Sequence, residues 1–185
     1  MRGFNHNQMG FTLDGIPLGD MSYGNHNGLH ISRAVPSENV GRVVLSQGSG
    51  ALGTASTSNL GGTIEFYSAD PGADMGARVD LTGGSDAMRR GLIRFDTGSL
   101  GAAGPRVSLT VADATAEKWK GAGEQDQRMY NLKIVQPIGE KGSLTAYYNQ
   151  SERAENDYQD LSFDIIRRRG WEWDNFAPDW NAALR

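Results

Sequence analysis

Residues 77–82 read Ala-Arg-Val-Asp-Leu-Thr, and residues 106–111 read Arg-Val-Ser-Leu-Thr-Val. Both alternate strictly between apolar and polar side chains. A period of two puts every second side chain on one face of an extended strand, so each stretch reads as a β-strand with one apolar face. Three more stretches keep the same rhythm. Ile93 and Phe95 oppose Arg94 and Asp96 within Leu92–Thr97. Tyr130, Leu132 and Ile134 alternate with Asn131 and Lys133. Leu144, Ala146 and Tyr148 alternate with Thr145, Tyr147 and Asn149. The pattern predicts five strands of roughly 8–11 residues each, the length a membrane-spanning strand needs.

The connections carry a second signal. A turn around Gly83–Asp86 follows the first strand, and Gly98–Pro105 follows the second. A charged loop is expected over Ala114–Gln127, a tight turn over Pro137–Gly142, and a long polar, aromatic tail over 152–185. Short turns on one side and long loops on the other are the layout of an outer-membrane barrel. A soluble antiparallel sandwich has the same alternation with its apolar face inward. Arg78, Asp80, Arg94, Asp96 and Lys133 on the polar faces suit a water-filled lumen and open solvent equally. Tyr130 and Tyr148 are read near strand ends, where an aromatic girdle would lie.

Composition narrows the function classes. The chain has 185 residues, enough for one domain or parts of two. Its 25 glycines argue against a helical bundle, since each interior Gly costs a helix about 1 kcal/mol. With no cysteine there is no disulfide framework, no thiolate zinc site and no cysteine nucleophile. The net charge of −4 makes a nucleic-acid partner unexpected. No apolar run approaches the ~18 residues of a spanning helix, and Met1-Arg2-Gly3-Phe4 does not open a signal peptide. There is no Gly-x-Ser-x-Gly, no His-Glu-x-x-His and no phosphate-binding loop, so a hydrolase has little support.

The two parts of the chain differ. Residues 1–72 hold 3 basic residues and 13 glycines, and residues 73–185 hold 15 basic residues and 12 glycines. The turn signal Asp70-Pro71-Gly72 marks the boundary. Short strands are expected at Phe11–Asp14, Val40–Ser46 and Thr63–Tyr67, with a turn or one helical turn at Pro36–Asn39. This part has few large apolar residues, so its stability should depend on packing against something else.

The order of motifs in residues 1–72 resembles the plug domain of TonB-dependent outer-membrane receptors. The blocks are Arg2-Gly3-Phe4, Leu13-Asp14-Gly15-Ile16-Pro17-Leu18, Val35-Pro36-Ser37-Glu38-Asn39-Val40-Gly41-Arg42-Val43-Val44-Leu45-Ser46-Gln47-Gly48, and Leu60-Gly61-Gly62-Thr63-Ile64-Glu65-Phe66. The resemblance implies a mainly β fold: the C-terminal part of a plug over 1–72, then about five antiparallel strands of an incomplete transmembrane barrel over 73–185, with a long extracellular loop over 152–185. Asp14-Gly15 and Gly61-Gly62 would supply positive-φ turn positions. Arg2 is the candidate plug–barrel contact, its charge needing carboxylates from the barrel wall. Where the family often has Arg-Gly-Pro, this chain has Gln47-Gly48-Ser49, so one usual plug-to-barrel charge is absent.

The resemblance also implies a role. Such receptors import a scarce extracellular ligand, here a siderophore-iron chelate, an oligosaccharide or a cobalamin-like molecule, using energy passed on by the protein TonB. The expected partners are TonB, through an N-terminal box absent from this chain, the small ligand, and outer-membrane lipid. The expected location is the bacterial outer membrane. At about 10 residues per strand, 22 strands need ~220 residues, so the chain is expected to be a fragment.

Ligand contacts are expected in two apical plug loops. The stronger is Asp20, Met21, Ser22, Tyr23, Asn25, His26 and Asn27, which offers an aromatic face, amides and an imidazole. The weaker is the turn holding Asn5, His6, Gln8 and Met9. His26 and His30 are four apart, but the glycines and asparagines around them argue for a loop, so no metal site and no cofactor are expected. The tail Trp171-Glu172-Trp173-Asp174-Asn175-Phe176 offers faces that could stack on sugars or aromatic chelators, but is read as folding onto neighbouring loops that are not in this chain. Arg167-Arg168-Arg169 is read as a solvated run. The competing class is a secreted or surface β-rich adhesion or carbohydrate-binding module, in which the apolar face of residues 73–151 would be covered by the chain itself.

Overall fold

The computed structural model describes residues 9–18, 31–48, 53–55, 61–156, 158 and 161–174. They form two sheets. The first contains β1 (Gly10–Leu13), β2 (Ile16–Pro17), β3 (Val40–Gln47) and β4 (Gly62–Ser68) in the order β2-β1-β4-β3. A short helix α1 (Ile31–Ala34) and a 3-10 turn (Ser37–Asn39) precede β3. This sheet is mixed, because β1 runs parallel to β4 and the other pairs are antiparallel. The second sheet is an antiparallel meander of β5 (Met75–Gly83), β6 (Arg89–Ser99), β7 (Arg106–Glu117), β8 (Glu124–Ile138) and β9 (Gly142–Glu155), followed by helix α2 (Phe163–Arg169). It does not close: β5 and β9 are its edges. No helix among the described residues is long and apolar enough to cross a membrane.

The five strands match the five alternating stretches, but they are longer. β8 has 15 residues and β9 has 14. The expected charged loop at Ala114–Gln127 is mostly strand, with Ala114 opposite Gln127 and Glu117 opposite Glu124. The alternation of apolar and polar residues stops there, but the pairing does not. Beyond the apolar band both faces are polar, and strands held by backbone bonds and cross-strand contacts such as Arg128–Asp113 at 2.8 Å continue into water. For the same reason Tyr130 and Tyr148 lie in mid-strand rather than at strand ends. They mark the upper border of the apolar band, and the next outward residues are Arg128 and Gln150. β9 likewise runs to Glu155, into the stretch read as loop.

The turn chemistry of β1–β2 follows the sequence. Asp14 and Gly15 have φ of 50° and 79°, the pair of positive values that a two-residue hairpin turn needs. Asp14 tolerates this because its carboxylate accepts from Ser68 N at 2.9 Å and from Ser68 Oγ at 2.5 Å. Gly62 has φ of 120°. Helix α1 has no counterpart in the sequence reading. It is only four residues long and is held from outside by the second sheet, so local periodicity could not reveal it.

The two faces of the five-stranded sheet have opposite character. The outward face carries Val79, Leu81, Ile93, Phe95, Leu109, Val111, Leu144 and Tyr148, all exposed, with Leu81 at 83% and Val79 at 60%. The inward face carries Ser108, Thr110, Asn131 and Lys133, all at most 5% exposed beneath the first sheet and its flanking segments. A water-soluble sandwich buries its apolar face and leaves the polar face in solvent. This sheet does the reverse.

Substituting Gly15→Ala would place a Cβ at φ 79°. We expect a cost of about 1 kcal/mol, read in the full-length protein as about fivefold faster amide exchange at Leu18, whose N–H closes the hairpin on Phe11. Unchanged exchange would contradict the turn assignment.

Candidate functional site

Strand register lines up the inward side chains in rows across β6, β7, β8 and β9. From the end near residues 84–88 and 118–123, here the upper end, the rows are Arg90–Ala114–Gln127–Arg153, Leu92–Ala112–Met129–Ser151, Arg94–Thr110–Asn131–Asn149 and Asp96–Ser108–Lys133–Tyr147. The first sheet and its connections meet these rows one by one.

Asn39 meets the third row. Its Nδ2 donates to Asn131 Oδ1 at 3.0 Å, and its Oδ1 accepts from Arg94 Nη1 at 3.1 Å and Thr110 Oγ1 at 3.2 Å. Asn131 extends the chain to Asn149 at 3.5 Å, and Asn149 donates to Ala34 O at the end of α1. Arg94 is fixed by two bonds of 2.9 Å to Asp96 and donates to Asp70 O at 3.0 Å. A buried amide can form this many bonds only when donors and acceptors converge on it from fixed directions.

The fourth row holds the passage from one sheet to the next. Lys133 Nζ, buried, donates to Ser68 O at 3.0 Å and Ser68 Oγ at 2.7 Å, and pairs with Asp70 Oδ1 at 2.8 Å. All three of its donors are matched, as a buried ammonium requires. Arg106 donates to Pro71 O at 3.1 Å, and Gly72 N donates to Asp96 Oδ1 at 3.0 Å. Three cations from three neighbouring strands therefore grip residues 68–71.

Above this polar floor lies a cavity of about 540 Å³. Ala112, Ala114, Met129 and Gln127 line its wall side, and Ile31, Val35, Pro36, Val40 and Phe66 line the other. The small side chains of Ala112 and Ala114 leave the space. Arg90 borders it and holds Glu38 through two parallel bonds of 2.7 and 2.8 Å. This guanidinium holds the Glu38 carboxyl below its ordinary 4.5, against the upward push of burial. The size fits a small-molecule site, and the lining is mostly apolar with a few polar groups at its edge.

A second cluster sits at the upper end. Lys118 and Asp174, both with fully buried side chains, pair at 2.5 Å. Lys118 also lies 4.8 Å from the Tyr158 ring centroid, and Trp119 stacks on that ring at 6.0 Å. Gly121, with φ of 71°, approaches so closely that a Cβ there would meet Asp174 Cβ at 2.5 Å. Residues 171–174 thus fold onto the β7–β8 turn, leaving Trp119 54% and Trp171 68% exposed.

Of the residues nominated from sequence, Met9 is described: it is buried beside the start of β1. Arg2, Gln8, Asp20, Met21, Ser22, Tyr23, Asn25, His26 and Asn27 lie outside the described residues. The ionic contacts between the sheets that are described mostly run opposite to the expected direction. The wall supplies cations (Arg90, Arg94, Lys133) and the first sheet's segments supply carboxylates and carbonyls, with Arg33–Glu155 at 2.6 Å the exception. Sequence reasoning placed Arg94, Asn131, Lys133 and Asn149 on polar faces but gave no role to Asn39 or Arg90. Their only signal was shared row position, which becomes visible once register is known. Gln47 is exposed at the end of β3. Among the described residues no group of three or more His, Cys, Asp or Glu is placed to hold a metal.

No protein-family model matches the sequence, and no curated protein matches it. Solved structures do. The pyoverdine outer membrane receptor FpvA from Pseudomonas aeruginosa PAO1, bound to pyoverdine, aligns with 83% of this chain and 22% of its own, at 23% identity and a TM-score of 0.65. The ferripyoverdine receptor of the outer membrane of Pseudomonas aeruginosa, bound to ferripyoverdine, aligns with 82% of this chain and 19% of its own, at 21% identity and a TM-score of 0.63. The FpvAI–pyocin S2 complex aligns with 82% of this chain and 19% of its own, at 23% identity and a TM-score of 0.66. At such identities the likeness is one of fold: this chain folds as a segment, about a fifth of the length, of these outer-membrane receptors.

The Glu38–Arg90 contact gives a pH dependence with a definite sign. A carboxyl held below 4.5 contributes stability fully above that pH and loses it as pH falls through the depressed value. In the full-length protein, exchange at Asn39 N and Ala69 N, corrected for intrinsic rates, should quicken on acidification below pH 4.5, and Glu38→Gln should flatten the profile. An unchanged profile in the variant would remove Glu38 as the titrating group.

Proposed function

We propose that this chain is a segment of a TonB-dependent outer-membrane receptor that imports a scarce ligand. Residues 1–72 act as the C-terminal part of its plug, and residues 73–185 as the first barrel strands with an extracellular loop over 152–185. The observation that carries this reading is the reversed polarity of the five-stranded sheet: exposed Leu81, Val79 and Ile93 face lipid, and buried Lys133, Asn131 and Thr110 face the plug. Backbone groups in lipid must be paired within the protein, which an antiparallel barrel achieves. The competing adhesion module needs that apolar face covered, and its exposure counts against it.

The fold neighbours are pyoverdine receptors, which favours an iron chelate over an oligosaccharide or a cobalamin-like molecule as the ligand. The upper end is then extracellular. The cavity bordered by Arg90 and the exposed Trp119 and Trp171 add to the contacts proposed for Tyr23, Asp20, Met21, Ser22, Asn25, His26, Asn27, Gln8 and Met9. No bond is made or broken in this role. Binding at the upper end and TonB-driven rearrangement of the plug are sufficient.

Two measurements test the reading. In the full-length protein Leu109→Arg, at mid-band on the outward face, should cost about 2–4 kcal/mol and impair folding into lipid vesicles, whereas Thr115→Arg above the band should fold normally. Equal behaviour of the two variants would contradict a lipid-facing band. Growth of a receptor-deficient strain carrying the full-length gene, on a panel of ferric siderophores, oligosaccharides and cobalamin, should identify one ligand, and Tyr23→Ala should lose uptake with surface expression intact. Unchanged uptake would remove Tyr23 from the site.

A further inference from the structure

Helix α1 is held by a closed circuit of side chains on the upper ends of β8 and β9. Arg33 Nη2 pairs with Glu155 Oε1 at 2.6 Å. The other carboxylate oxygen, Oε2, accepts from Arg153 Nε at 2.7 Å. Arg153 Nη1 donates to Gln127 Oε1 at 3.3 Å, and Gln127 Nε2 donates to Ser32 O at 3.1 Å. The circuit leaves α1 at Arg33 and returns to it at Ser32, while Asn149 donates to Ala34 O. Four residues are too few for a helix to be stable by itself, so docking on the wall is what keeps α1 wound. Glu155 carries the circuit. One carboxylate lies between two guanidinium groups, and without its charge Arg33 and Arg153 would repel each other across the joint.

The next residue starts a second assembly. Asn156 N donates to Glu124 O at 3.0 Å, and Asn156 Oδ1 accepts from Glu124 N at 3.1 Å. Gly123 lies so close that a Cβ there would meet Asn156 Cβ at 2.5 Å. Lys118 N donates to Gly123 O at 3.0 Å, Trp119 N to Tyr158 Oη at 3.1 Å and Gly121 N to Glu172 O at 3.1 Å, and Lys118 Nζ pairs with Asp174. The 118–123 turn and the described residues after β9 are therefore one hydrogen-bonded unit. A single planar peptide joins its first residue, Asn156, to Glu155, so a shift of one backbone is passed to the other.

We propose that Glu155 couples α1 to this unit. With α1 docked in the circuit, the 118–123 turn and residues 156, 158 and 161–174 are held closed; undocking α1 loosens them. Coupling is reciprocal, so loosening the unit also loosens α1. In the receptor read above, on which this use of the joint rests, movement of the plug is thereby reported at the extracellular face.

Amide exchange in the full-length folded protein, corrected for intrinsic rates, tests the coupling. Glu155→Gln should quicken exchange about threefold or more at Val35 N, whose bond to Ile31 O closes α1, and equally at Gly121 N, whose bond to Glu172 O closes the unit. Arg33→Glu combined with Glu155→Arg again sets one carboxylate between two guanidinium groups. It should bring both rates back to within about twofold of the unsubstituted protein. In the other direction, Asp174→Asn removes the charge paired with Lys118 and should quicken Val35 N as well as Gly121 N. Quickening confined to Val35 N in Glu155→Gln, or to Gly121 N in Asp174→Asn, would overturn the proposal, as would unchanged rates at both. The readout needs no ligand. If Leu109→Arg and Thr115→Arg behave alike, the receptor reading fails while these rates still decide the coupling.

Discussion

The contacts that join the two sheets centre on one buried amide, seated on a row of polar side chains. Asn39 bonds to Arg94, Thr110 and Asn131, which are neighbours on three adjacent strands. This contact sets the height of the first sheet against the wall. With Asn39 fixed, Glu38 reaches Arg90 on the row above, and Ser68 and Asp70 reach Lys133 on the row below. A one-residue slip of any wall strand would send its polar row to the outward face. The register of the wall and the seating of the first sheet therefore depend on each other.

That dependence explains the composition. A sheet apolar on one face and polar on the other is only half hydrophobic, and a first sheet seated by hydrogen bonds needs few large apolar residues. The described apolar core between them is small, consisting of Leu92, Ala112 and Met129 on one row. The 38% hydrophobic content is thus that of a structure whose largest apolar surface faces outward. The same reasoning accounts for buried Lys133 and partly buried Arg94, which would be anomalies in a soluble core.

Much of the fold was legible in sequence. The period of two located all five wall strands, because burial on one face forces alternation. The Asp14-Gly15 hairpin was legible because only a few residues accept positive φ. The strand ends were not, since above Tyr130 and Tyr148 neither face is apolar and pairing continues without a pattern. The site was less legible. Asn39 was read as part of a turn and Lys133 as one of several polar-face charges, and nothing local said that Asn39 faces Asn131 or that Lys133 faces Ser68. Such pairings depend on register between segments 92 and 65 residues apart in sequence.

The central claim is that the outward face of the wall meets lipid and the inward face does not. Single cysteines placed at Ile93, Leu109, Leu132 and Leu144, and at inward Thr110 and Asn131, can carry spin labels in the full-length protein reconstituted in vesicles. The account predicts that the four outward labels collide with a lipid-soluble relaxing agent and are shielded from a water-soluble one, while the inward pair is shielded from the lipid-soluble agent. Outward labels relaxed by the water-soluble agent would contradict it.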